Sequence, residues 1–131
     1  MRKYIRLMML GLLSVMLFAE CIKSNALKIK VDYKDVKAIE LYDIEGKKVS
    51  ELPKEEYGKI IGYLNTSKIS NEAHILIITG KVMKITFNDN SQMSFTSYGS
   101  GTNCVVSGTY KGKEFNYHLI SERIAKILLE K

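Results

Sequence analysis

Two side chains of this sequence have the chemistry of a nucleophile and its base: Cys104 and His118, close enough along the chain for one hairpin to join their segments. A thiolate activated by an imidazole attacks carbonyl carbon, so a hydrolase built on Cys104 and His118 is one reading, and it requires the two groups within hydrogen-bond reach in a pocket. The bland reading is a small buried hydrophobe and an ordinary strand residue, since Thr102-Asn103-Cys104-Val105-Val106 has strand composition. A zinc site needs three or four converging ligands. His74, His118 and Cys104 are dispersed, and neither a metal nor a cofactor is expected.

Paired carboxylates stand at Glu55-Glu56, at Asp32 with Asp35, and at Asp43 with Glu45. Glycosidic hydrolysis needs two carboxyls facing each other across a cleft. These pairs read instead as the first turn of a helix, surface charge and a turn, and Asp43 with Glu45 supplies too few ligands for a cation. The run Gly108-Thr109-Tyr110-Lys111-Gly112-Lys113-Glu114 is one residue short of a phosphate loop. Glu114 replaces the magnesium-binding hydroxyl, and the run leads into a strand, where no helix N-terminus waits to hold a phosphate. No catalytic constellation is assembled, so no enzymatic activity is expected.

Tyrosine carries the remaining chemistry, with seven in residues 27–131 and no tryptophan. Amphipathic rings beside Ser, Asn and Gly are the material of recognition surfaces. Tyr98 and Tyr110 flank the loop Gly99-Ser100-Gly101 and the strand after it, so a local hairpin would gather Tyr98, Asn103 and Tyr110 into a binding patch. The same rings are also strand formers. A closed apolar cavity, a ligand resting on Gly58 and Gly62, or a protruding loop at 99–103 would point instead to a small-ligand or inhibitor domain.

The elements that must position these groups follow from periodicity. Leu27 to Tyr33 alternates apolar and charged residues, the pattern of a half-buried strand or of a stiff tether. Val36–Tyr42 and Lys47–Ser50 flank Asp43-Ile44-Glu45-Gly46, a hairpin loop by its Asp and Gly. Pro53 at a first helical position, with acids behind it, starts a helix whose Tyr57, Ile60, Ile61 and Leu64 share one face and which ends near Asn65. Gly58 and Gly62 flank that face and suggest close approach to a sheet. Thr66 to Asn71 reads as a polar loop, and Asn65-Thr66-Ser67 matches a glycosylation sequon, a signal of low specificity. Strands are expected at His74–Thr79, Val82–Phe87, Gln92–Tyr98, Asn103–Tyr110 and Lys113–Ile120. Ser121 caps a closing helix to Glu130 with Ile124, Ile127 and Leu128 inward. Segregated helices and short returns define an α+β domain: an antiparallel sheet of about five to seven strands with one central and one C-terminal helix in two layers.

Residues 1–26 read as an export signal. Arg2, Lys3 and Arg6 precede an uncharged run from Leu7 to Ala19, which is shorter than the roughly 20 residues of a membrane span. Ser24-Asn25-Ala26 offers a signal-peptidase site, leaving residues 27–131 as a single small domain. The competing route lipidates Cys21, although Glu20 and Phe18 depart from the usual residues before such a cysteine. Neither route leaves a partner for a Cys21–Cys104 disulfide. The leader's Arg2, Lys3, Arg6 and Lys23 against Glu20 account for half of the formal charge of +6, and what remains is an ordinary solubility charge that makes no case for nucleic acid.

The run Ile39-x-Leu41-x-Asp43-x-x-Gly46-Lys47-x-Val49, then Ile61-x-x-Leu64, then Ile85-x-Phe87-x-Asp89 resembles small uncharacterised secreted proteins and lipoproteins of Gram-positive bacteria, over about residues 36–120. The resemblance implies a small α+β envelope domain and brings no active site with it. The resulting expectation is a monomeric, non-catalytic binding module outside the cytoplasmic membrane. Its partner would be a protein or cell-envelope component, and it would touch the membrane only through the leader or a lipid on Cys21.

Overall fold

The computed structural model describes residues 27, 30–70, 78–98 and 101–130. The leader, Cys21, His74 and the Gly99-Ser100 part of the expected recognition loop lie outside the described residues. Among the described residues, seven strands form one sheet: β1 (Val36–Tyr42), β2 (Lys48–Glu51), β3 (Lys68–Ile69), β4 (Ile78–Phe87), β5 (Gln92–Tyr98), β6 (Asn103–Tyr110) and β7 (Lys113–Ile120). Their spatial order is β2-β1-β4-β5-β6-β7-β3, and every neighbouring pair is antiparallel. Among the described residues, two α-helices, α1 (Tyr57–Asn65) and α2 (Glu122–Leu129), make the second layer. The fold is the expected two-layer α+β arrangement.

The topology dictates where α1 lies. β2 forms one edge of the sheet and β3 the other, so the connection between them must cross the sheet's width, about 29 Å for seven strands. Residues 52–67 make that crossing with a 3-10 turn and α1 inside it. The apolar stripe of α1, Tyr57, Ile60, Ile61 and Leu64, is buried on the way. α2 packs across β4, β5 and β6 through Ile124, Ala125 and Leu128. Beneath the helices the inward residues alternate as a pleated sheet requires: Ile39, Leu41, Met83, Ile85, Phe87, Met93, Phe95, Val106, Phe115 and Leu119 are all buried. Glu40, Lys84, Thr86, Ser94 and Thr96 take the opposite face and stay half exposed. Truncating a core residue such as Leu64 to Ala would cost about 2–5 kcal/mol. Among the described residues, no helix is long and apolar enough to cross a membrane.

Several elements differ from the periodic reading. The described residues of the segment before β1, 27 and 30–32, form no strand: Leu27 and Val31 are buried, but the chain turns into a 3-10 helix at Tyr33–Asp35. The physical reason is Asn65. Its side-chain oxygen accepts from the Val31 N–H at 2.9 Å and its amide donates to the Val31 carbonyl at 2.8 Å, so one side chain replaces a neighbouring strand. Pro53 stands in extended conformation just before the 3-10 turn Lys54–Glu56, ahead of the helix rather than inside it. The loop after α1 contains β3, which pairs with β7 because the crossover delivers it to that edge. Gly58 would meet only the Tyr33 ring at ordinary contact distance and Gly62 faces open space, so neither glycine serves a close approach to the sheet.

Gly80 does not break the chain into two strands. It lies inside β4 with φ +79°, where the pairing register with β5 shifts between Thr79 and Met83. A Cβ there would sit 2.4 Å from the Leu128 carbonyl oxygen, so the missing side chain is what lets the end of α2 settle on β4.

Candidate binding groove

Tyr98, Asn103 and Tyr110 do not form one patch. Tyr98 and Asn103 are direct cross-strand partners, whereas Tyr110 is seven residues further along β6, roughly 23 Å away. The two rings also occupy opposite faces. Tyr110 points inward with Cys104 and Val106, and Tyr98 alternates with buried Ser97 onto the other face. Both rings are covered, at 4% and 3% exposure. The Tyr98 hydroxyl lies 3.0 Å from His118 Nδ1 with the rings edge to face. Strand composition located these residues correctly, but it could not say which side of the sheet each ring takes.

Tyr110 instead closes the lower end of the fold. Its hydroxyl donates to the Asp35 carboxylate at 2.5 Å and accepts from the Asp32 N–H at 3.1 Å, which ties the segment before β1 to β6. That hydroxyl bond, helped by Lys111, holds the Asp35 carboxyl below the usual carboxylate range. A second polar cluster on the outer face joins Glu40, Tyr42 and Lys48. The Tyr42 hydroxyl donates to Glu40 at 2.7 Å, and the Glu40 carboxyl is held low by that bond first and by Lys48 second. In both clusters the charges are satisfied by their own neighbours.

Cys104 and His118 do not converge. In the β6–β7 register Cys104 faces Leu119 while His118 faces Val105, so thiol and imidazole project from opposite faces. Cys104 is fully buried, and burial pushes its thiol up to about 12, the reverse of an activated nucleophile. Among the described residues, no group of three or more His, Cys, Asp or Glu side chains gathers to hold a metal. The phosphate-loop-like run is the end of β6, the turn at Lys111-Gly112 and the start of β7.

The concave surface lies on the helical layer. On α1, Lys59 and Tyr63 are four residues apart and therefore share the flank beside its buried stripe. On α2, Arg123 and Lys126 occupy the solvent side opposite Ile124 and Leu128. Between the helices these four residues line a depression of about 300 Å³ together with Glu122, Ile127 and Glu130. It continues toward the β3 edge as a depression of about 280 Å³ that shares Tyr63 and Arg123 and adds Lys68 and Ile120. Toward the β2 edge a depression of about 370 Å³ shares Lys59, Ile127 and Glu130 and adds Ser50, Glu56 and Lys81. Three neighbouring depressions thus lie along the helical layer and share lining residues. Arg123 holds its guanidinium 5.6 Å from the centre of the Tyr63 ring. Among the described residues the ion pairs are Lys48 with Glu40 and Glu51, and Lys111 with Asp35, so none of the groove's cations is engaged in one.

The sequence held each half of this groove and not the whole. The inner stripes of both helices were readable, and the residues beside those stripes follow from them. What brings Tyr63 to Arg123, some sixty residues away, is the crossover that carries α1 over the sheet. No family model, curated protein or solved structure matches the chain.

Proposed function

We propose that this protein is an exported, non-catalytic binding module that docks an anionic component of the cell envelope in the groove between its helices. The observation that carries the reading is the group of cations Lys59, Arg123 and Lys126, none of them in an ion pair among the described residues, in a depression that also holds the Tyr63 ring, Glu122 and Glu130. The three cations outnumber the two carboxylates of the same depression, Glu122 and Glu130, which leaves a net positive field for an incoming anion. A guanidinium resting on an aromatic ring is already oriented, so binding orders it less than it would a free side chain. The charged start and apolar run of residues 1–26 support a module outside the cytoplasmic membrane, released after Ala26 or tethered through Cys21. Both outcomes fit the resemblance to small secreted proteins and lipoproteins of Gram-positive bacteria.

The test is retention of the processed protein on isolated cell envelopes. Arg123→Glu and Lys126→Glu reverse the groove's charge at exposed positions and are expected to release the protein into the supernatant with the melting temperature unchanged. Full retention of both variants would remove the groove from the account.

A further inference from the structure

We infer that folding closes the signal-peptidase site: once Leu27 and the residues behind it dock on the domain, the leader is protected from the cut. This rests on the reading of residues 1–26 as an export signal removed after Ala26, and it is independent of the depressions between the helices. Leu27, the residue that follows the cut, is 2% exposed and belongs to the hydrophobic core. The chain behind it is fastened through its main chain. Asn65 takes both the N–H and the carbonyl of Val31, at 2.9 and 2.8 Å, and the Asp32 N–H donates to the Tyr110 hydroxyl at 3.1 Å. Lys30 Nζ donates to the Asn65 carbonyl at 2.8 Å. The stretch from Leu27 to Val31 reaches at most about 14 Å, so a peptidase seating Leu27 must work within that distance of the pinned Val31. Peptidases take exposed, unpaired chain, and a folded protein is cut in proportion to the fraction that opens. Opening here means drawing Leu27 out of the core and breaking the Asn65 bonds. The fasteners also set the timing. Asn65 and Tyr110 lie 34 and 78 residues beyond the groups they hold, so the site is free while the chain is still crossing the membrane and closes after α1 and β6 have followed. An early cut adds water across the Ala26–Leu27 amide, leaving a carboxylate on the leader and an ammonium on Leu27, and releases the domain. A chain that folds first keeps its leader and stays at the membrane.

The test takes the full chain with its leader in detergent micelles and a purified signal peptidase, with the cut located by mass spectrometry. Chain diluted from urea straight into the peptidase should be cut after Ala26. Chain folded beforehand, as circular dichroism verifies, should be cut at least about 100-fold more slowly, since only the rare open molecules are substrates. Asn65→Ala removes both bonds to Val31 and should speed cutting of the folded chain about 10- to 30-fold. Tyr110→Phe frees the Asp32 N–H and should give a smaller increase. Gly80→Ala strains β4 and leaves the Asn65 bonds in place, so it should change the rate by less than about threefold. Equal rates for folded and urea-diluted chain would overturn the inference and leave the export reading standing. The absence of a cut after Ala26 in both samples would overturn the inference and the release route together. Cutting of Asn65→Ala no faster than the parent, or of Gly80→Ala as fast as Asn65→Ala, would also overturn it, because cutting would then follow something other than release of this segment.

Discussion

Alanine at Gly80 and alanine at Gly62 should move stability in opposite directions. At Gly80 the backbone has φ +79°, which costs an L-residue about 1–2 kcal/mol. The new Cβ would also stand 2.4 Å from the Leu128 carbonyl oxygen and 3.1 Å from its carbon, main-chain atoms that a rotamer change cannot move aside. Pushing the last turn of α2 off β4 adds an overpacking cost of about 1–3 kcal/mol. The total of about 2–5 kcal/mol is a large part of the 5–15 kcal/mol a domain of this kind possesses. Gly62 lies inside α1 with nothing within 4 Å of its would-be Cβ, so alanine there gains about 0.5–1 kcal/mol by helix propensity and by restricting the unfolded chain. Urea unfolding followed by circular dichroism measures both, and the corresponding melting temperatures should fall by at least about 10 °C for Gly80→Ala and rise by a few degrees for Gly62→Ala. A Gly80→Ala protein within about 0.5 kcal/mol of the parent would refute the docking of α2 on β4, and with it the wall of the groove that α2 supplies.

The Cys104 thiol should resist alkylation in the folded protein and react only as the chain unfolds. Because its folded value is raised to about 12 while the unfolded thiol ionises near 9, the stability it contributes is complete below pH 9 and is lost as the pH rises toward 12; Cys104→Ala should flatten that alkaline decline, as unfolding curves between pH 8 and 11 will report. Tyr110→Phe removes a hydroxyl that bonds both Asp32 and Asp35 and should cost about 1–2 kcal/mol in chemical denaturation. It should also weaken acid sensitivity. Asp35 is held low in the folded state, so its contribution is present above the ordinary carboxylate pKa and lost as the pH falls through the depressed value, and that loss shrinks once the hydroxyl is gone.

Most of the sheet was legible in the residues because its strands obey a period of two: Gln92–Tyr98, Asn103–Tyr110 and Lys113–Ile120 follow directly from alternation between turn residues. The helix of Tyr57, Ile60, Ile61 and Leu64 was equally plain. Failures occurred where a distant group overrides local pattern. Asn65 supplies Val31 with a substitute for a neighbouring strand, and Leu128 explains why Gly80 stands between the expected strands His74–Thr79 and Val82–Phe87. Lys68 and Ile69 are too few to show a period and become a strand only because β7 offers them an edge. The site was less legible than the fold for the same reason. Alternation places Tyr98 and Tyr110 on strands, but their seven-residue offset and opposite faces emerge only from the pairing register, and the Tyr63–Arg123 stack needs the full crossover.

Amine footprinting of the processed protein, free and bound to isolated cell envelopes, tests the location of the binding surface most directly. Acetylation of Lys59 and Lys126 should be suppressed in the bound state, while Lys37 and Lys113, exposed away from the groove, keep their reactivity. Protection of Lys37 and Lys113 with Lys59 and Lys126 still fully reactive would contradict the account and move the interface off the helical groove.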